Sequence, residues 1–217
     1  MSATQAPVLE RPQSPSWRLI ATLGTAGALA GLFIVLSYQW TLPSIERHRA
    51  TALRVAIEEV LGQPARADTL YFHGGALVAA LPGGADAKKT ERVYRGFDAD
   101  GRPTGYAISA SEPGFADQIG LLFGYDPRTR TVLGMKVLAT KETPGLGDKI
   151  EKPGFTTQFV GRIAPLIGLK AAPEPADRSG VAMVTGATIS SRTVIKAINN
   201  AAERWQPVLE RYERETP

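Results

Sequence analysis

The sequence predicts one N-terminal transmembrane helix followed by an α+β domain with a mostly antiparallel sheet and a closing C-terminal helix. Three observations carry this. Near the N-terminus about 22 residues include no Asp, Glu, Lys, Arg or His, and as a helix at 1.5 Å per residue they cover roughly 33 Å, the thickness of a bilayer core. Between residues 91 and 140 the pattern changes to short β runs separated by turns. The final stretch carries apolar residues at helical spacing. The whole chain has 217 residues, which leaves a soluble domain large enough to bury a core. Its 43% hydrophobic and 21% charged content argues against disorder or a collagen-like repeat.

Residues 1–17 read as a short polar tail carrying Pro7, Pro12 and Pro15. Residues 18–40 read as the membrane helix: Leu19 to Trp40 is LIATLGTAGALAGLFIVLSYQW, with Arg18 at one end and the amphipathic rings of Tyr38 and Trp40 at the other. A cleaved signal peptide is the rival reading, because Ala28-Leu29-Ala30 fits an A-x-A site. Cleavage there would leave Gly31–Tyr38 as an exposed apolar start, so a retained anchor is expected. Arg11 and Arg18 before the span are matched by Arg47, Arg49 and Arg54 after it, and charge bias gives no orientation. A short N-terminal tail with a large C-terminal domain is the layout of a signal-anchor, which would put residues 41–217 outside the cytoplasm.

Residues 41–64 are expected to form a juxtamembrane stalk helix. It would start at Pro43, carry Ile45, Ala52, Val55, Ile57, Val60 and Leu61 as a rough stripe, and stop at Gly62 and Pro64. Residues 65–217 form the soluble domain. Weak strands are expected at Leu70–Phe72 and Ala76–Leu81, then stronger ones in ERVYRGFD, TGYAISAS, IGLLFGYD and VLGMKVLAT, with turns at Asp100-Gly101 and Pro127–Thr129. The last two strands form a hairpin, with Ile119, Leu121 and Phe123 alternating before the turn and Val132 and Val137 after it. A closing helix is expected from about Ser190 to Tyr212, with Val194, Ile198, Ala201, Trp205, Val208 and Tyr212 on its apolar side and a kink at Pro207.

Composition removes several chemistries. The absence of cysteine excludes disulfides, thiolate metal sites, iron–sulfur clusters and a cysteine nucleophile. With His48 and His73 the only histidines, a three-histidine metal site is impossible. Basic residues are scattered rather than striped, so no nucleic-acid footprint is visible. There is no dinucleotide G-x-G-x-x-G, no serine–histidine–acid grouping in context and no defensible carboxylate pair. Any redox function needs an organic cofactor.

Two motifs carry chemistry. Glu142-Thr143-Pro144-Gly145-Leu146-Gly147-Asp148 has the composition of a loop whose backbone can approach a flat ligand, and equally that of a tight turn. Val184-Thr185-Gly186-Ala187-Thr188-Ile189-Ser190-Ser191 gathers hydroxyls and a glycine before the last helix, where free N–H groups and the positive helix end favour an anion; a plain N-cap at Thr188 or Ser190 is the alternative. It lacks the spacing and lysine of a P-loop.

Together, ETPGLGDKIE at 142–151 and TGATISS at 185–191, behind one membrane helix, resemble the FMN-binding domain of the G subunit of Rnf-type (Rsx) electron transport complexes. The C subunit of the sodium-translocating NADH:quinone reductase is similar. The resemblance implies FMN carried covalently by Thr188 through a phosphoester, with Thr185, Gly186, Ala187 and Ser190 around the attachment point. It makes the 142–147 segment the wall for the ring: Glu142 and Thr143 as polar contacts, Leu146 as packing, Pro144 and Gly145 as the turn, and Gly147 as a further cofactor-binding residue. It further implies a separate flavin transferase, the other subunits of the complex and the lipid bilayer as partners, and no nucleic acid. The expected setting is a single-pass bacterial inner-membrane protein with its domain on the periplasmic side, relaying electrons in an assembly that couples their flow to ion translocation. The sequence departs from the family pattern at Ala182, where an aspartate is usual. That departure leaves open a membrane-anchored scaffold or sensor with non-covalent or no FMN.

Overall fold

A computed structural model describes residues 15–87 and 89–216. The chain divides into two compact units, Met1–Ala50 and Thr51–Pro217. Most of the predicted polar tail, residues 1–14, lies outside the described residues.

The first unit is built on α1 (Ser16–Val60), whose later turns belong to the second unit. Its apolar stretch has a mean hydropathy of 2.2 with none of it buried, and is long and apolar enough to cross a membrane. Leu23, Phe33, Ile34 and Trp40 all point outward. The hydroxyls of Thr22 and Thr25 donate back to the carbonyls of Arg18 and Ala21 at 2.7 and 2.8 Å, so they leave no unpaired donor on this surface. The helix does not restart at Pro43 but runs through it. A proline removes only the bond to the carbonyl four residues back, here that of Gln39, at a polar position where water can replace it.

The second unit is a seven-stranded antiparallel sheet of order β2-β1-β3-β4-β5-β6-β7 with one long helix on its face. Its strands are β1 (Arg66–His73), β2 (Ala76–Val78), β3 (Arg92–Phe97), β4 (Pro103–Pro113), β5 (Gln118–Asp126), β6 (Thr131–Ala139) and β7 (Arg162–Ile163). After β6 the chain makes a 3-10 turn (Gly147–Glu151) and the short α2 (Pro153–Thr156). Beyond β7, β8 (Ile167–Leu169) and β9 (Gly180–Ala182) pair in parallel, and α3 (Thr188–Glu215) closes the fold. The helix continues through Pro207, whose exposed position makes the missing N–H inexpensive.

Period-two alternation decides what each face meets. Tyr106, Ile108, Leu121, Phe123 and Tyr125 turn toward Val194, Ile198, Trp205 and Leu209 of α3, with Phe155 and Phe159 completing this core. Trp205 meets Phe72 edge-on, with ring centroids 5.4 Å apart. Inside it, the Tyr125 hydroxyl donates to Gln206 Oε1 at 2.5 Å, and Gln206 Nε2 donates to the Pro127 carbonyl at 2.8 Å, so these buried polar atoms are satisfied. On the opposite face Tyr94, Ala107 and Leu122 meet Ala56, Ile57, Val60 and Leu61. The last turns of α1 are therefore core, not a free stalk. They fit because Gly124 and Gly134 are cross-strand partners: a methyl on Gly124 would strike the Val60 carbonyl oxygen, and one on Gly134 would lie 3.2 Å from Val60 Cα.

Candidate functional site

Three segments meet at the N-terminal end of α3: the turn between β4 and β5, the loop after β6, and the segment leading into α3. Glu142 joins them. Its Oε1 accepts the N–H groups of Phe115 and Ala116 at 2.8 and 3.0 Å, and its Oε2 accepts the Ser190 hydroxyl at 2.7 Å. Burial alone would push its pKa up. The Ser190 hydroxyl and the N–H groups of Ala116, Phe115 and Asp117 outweigh that and hold the carboxyl below its ordinary range. Two glycines make the room: a methyl on Gly147 would sit 2.6 Å from both Glu142 Cβ and Oε2, and one on Gly114 would strike Oε1.

Each motif folds as a turn dictated by its sequence. In Thr143-Pro144-Gly145-Leu146 the Leu146 N–H donates to the Thr143 carbonyl at 3.1 Å, with Gly145 at φ +78°. Proline at the second position and a glycine with positive φ at the third are the requirements of a type II turn. Val184-Thr185-Gly186-Ala187 repeats the device: the Ala187 N–H donates to the Val184 carbonyl at 3.0 Å, with Gly186 at φ +84°. Ser191 locks this second turn by donating to the Ala187 carbonyl at 2.8 Å and accepting from the Val184 N–H at 3.0 Å.

Between the two turns lies an open cavity of about 350 Å³ lined by Phe115, Glu142, Thr143, Leu146, Gly147 and residues 186–190. Phe115, Leu146 and Ile189 are large apolar side chains left at least half exposed, at 70%, 50% and 50%. Among the described residues no basic side chain lines it, and the one lining carboxylate is already engaged. Thr188 is the first residue of α3 and is exposed; among the described residues its hydroxyl makes no hydrogen bond. The N-cap is Ala187, which has no capping side chain. The plain N-cap reading of Thr188 or Ser190 therefore does not hold: Ser190 serves Glu142, and the first N–H groups of α3 are left without intrahelical acceptors.

Glu142, Thr143, Leu146, Gly147, Gly186, Ala187, Thr188 and Ser190 thus line one cavity. Pro144, Gly145 and Thr185 shape the turns without lining it. Glu142 is a clip between segments, not a free polar contact. Ala182 sits on β9, its N–H donating to Gln158 Oε1 at 2.9 Å, away from the cavity lining. Phe115 and Ile189 are lining residues that neither motif pointed to as contacts; an aromatic in a hairpin turn, where polar residues are usual, was the available signal for the first. The residues present suit FMN: an apolar slot for a ring system, backbone N–H groups for a phosphate, and an unengaged hydroxyl between them.

A family model described as FMN-binding domain matches residues 114–203, which bracket every lining residue. The chain is 31% identical over 181 residues to the G subunit of the ion-translocating oxidoreductase complex of Vibrio vulnificus, covering 82% of this chain and 83% of that one. The chain belongs to this G-subunit family. It is also 29% identical over 188 residues to the corresponding G subunit of Methanosarcina acetivorans, covering 86% and 92%. The fold of this chain is similar to that of Shewanella oneidensis NqrC, whose crystal structure superposes with a TM-score of 0.61 at 18% identity over 78% of this chain and 99% of that one. Membership makes this a flavoprotein component of a membrane electron-transfer complex.

Proposed function

We propose that the protein carries FMN covalently, through a phosphoester to Thr188 Oγ1, and relays electrons in a membrane complex that couples their flow to ion translocation. The observation that carries this reading is the exposed, unengaged Thr188 hydroxyl at the mouth of α3, facing a cavity walled by the 142–147 loop. When bound, FMN supplies the electron transfer. The chain's own residues hold and orient it. The first N–H groups of α3 and its positive end would receive the phosphate, since no basic side chain among the described residues lines the cavity. Leu146 and Ile189 would pack on the ring, and Gly186 leaves the approach open, since a methyl there would meet only Leu146 Cδ2 at 3.8 Å. Glu142, its carboxyl held, against the upward push of burial, below the ordinary range by the Ser190 hydroxyl and the 115–117 N–H groups, serves here as a hydrogen-bond acceptor.

A tether fits a domain on the periplasmic side of a bacterial inner membrane, where a dissociated flavin nucleotide would have no local supply. The reading requires a flavin transferase to make the ester and other subunits of the complex as electron donor and acceptor. In-gel ultraviolet fluorescence after denaturing electrophoresis tests it. A fluorescent band from cells containing the transferase, lost in Thr188→Val and kept in Thr188→Ser, is expected; a dark wild-type band contradicts it. Alkaline phosphatase fused after residue 217 should be active, and an inactive fusion would reverse the orientation. If Ala182 affects recognition by the transferase rather than the fold, Ala182→Asp will raise the fraction of flavinylated chain without changing its thermal stability.

A further inference from the structure

We propose that Phe115 is a further cofactor-contact residue, closing the open side of the ring site, and that Glu142 is the positioning residue that holds it there. The inference rests on the flavin reading above. Phe115 lies at the tip of the β4–β5 turn, and this tip is fixed from every side. Its own N–H and that of Ala116 are held by Glu142, the Gly114 N–H donates to the Asp117 carbonyl at 2.8 Å, and Asp117 pairs with Lys141 at 2.8 Å. Behind it the Thr193 hydroxyl of α3 donates to the Pro113 carbonyl at 3.0 Å.

All of this orders the backbone and none of it uses the ring. The Phe115 side chain stays 70% exposed and, among the described residues, stacks on no other aromatic. An ordered turn presenting an unburied phenyl gains nothing for the fold, since ordering costs entropy and the apolar area stays in water. The ring faces the same cavity as Leu146 and Ile189. These three apolar groups come from three segments, and each segment is tied to Glu142: Phe115 by its N–H, Leu146 by the loop that carries Glu142 itself, and Ile189 through its neighbour Ser190. The clip therefore sets the spacing of three walls around one slot.

The test uses the full chain purified with its flavin. Placing an indole against a flavin opens electron-transfer quenching on contact, so Phe115→Trp should lower native flavin emission several-fold, with recovery on denaturation. Phe115→Ala should raise quenching by iodide several-fold, because one side of the ring is uncovered. Thr188 is untouched in both, so the attachment point remains, and emission and iodide quenching are read per flavin bound. Glu142→Ala should reproduce the iodide result of Phe115→Ala. Emission and iodide access unchanged in both Phe115 variants would overturn the inference while leaving the flavin reading standing. Unchanged values in a folded Glu142→Ala would overturn the positioning role. A wild-type chain without flavin would overturn both readings together.

Discussion

Thr188 and Glu142 show how differently two residues of one cavity could be read from sequence. The place of Thr188 was legible because it needs only a local pattern, a hydroxyl at the start of a helix after a glycine turn, whereas the attachment role proposed for it comes from the family resemblance. Glu142 was legible as part of the loop that lines the cavity but not as a clip, because its partners Phe115, Ala116 and Ser190 lie 26 to 48 positions away in the chain. Removing its carboxylate leaves two buried-side N–H groups and one hydroxyl without an acceptor, so Glu142→Ala should cost about 3 kcal/mol of unfolding free energy, measurable by chemical denaturation. The pH dependence has a definite sign. The folded-state pKa lies below the ordinary 4.5, so this stabilisation is present above that value and is lost as pH falls through the folded-state pKa. The stability difference between wild type and Glu142→Gln should therefore shrink on acidification below that value; a difference that stays constant to the acid limit would contradict the clip.

Among the elements, the strands with clean alternation were the legible ones. Ile119, Leu121 and Phe123 mark one face of β5, but Leu122 is equally buried, on the other side, by the end of α1. That second layer was invisible because the same stretch read as a stalk stripe, and only the paired glycines reveal where it docks. β7, β8 and β9 carry two or three residues each, too few for a period to register. Gly124→Ala should overpack against the Val60 carbonyl and cost about 1–3 kcal/mol. Gly120→Ala on the same strand, whose methyl would meet Ala139 at 3.8 Å, should be close to neutral by thermal unfolding. In α3, Trp205→Ala removes a buried ring and should cost about 3–5 kcal/mol; a loss under about 1 kcal/mol would contradict its place in the core.

At the scale of the molecule, the order of anchor, antiparallel sheet and closing helix could be read from the sequence, because each has its own period and length. The position of the domain's edge could not. Ala56, Ile57, Val60 and Leu61 belong to the core, and each fully buried aliphatic side chain contributes about 1.5–3 kcal/mol. A chain starting at residue 51 should therefore unfold cooperatively and markedly hotter than one starting at residue 65, and equal melting temperatures would contradict the docking of α1. The proposed electron-carrier function depends on a phosphoester at the mouth of α3, and mass spectrometry of the mature chain tests for it most directly. The prediction is a surplus equal to one FMN less one water, localised to the peptide containing Thr188 and absent from Thr188→Val. A wild-type mass equal to the bare polypeptide would contradict it.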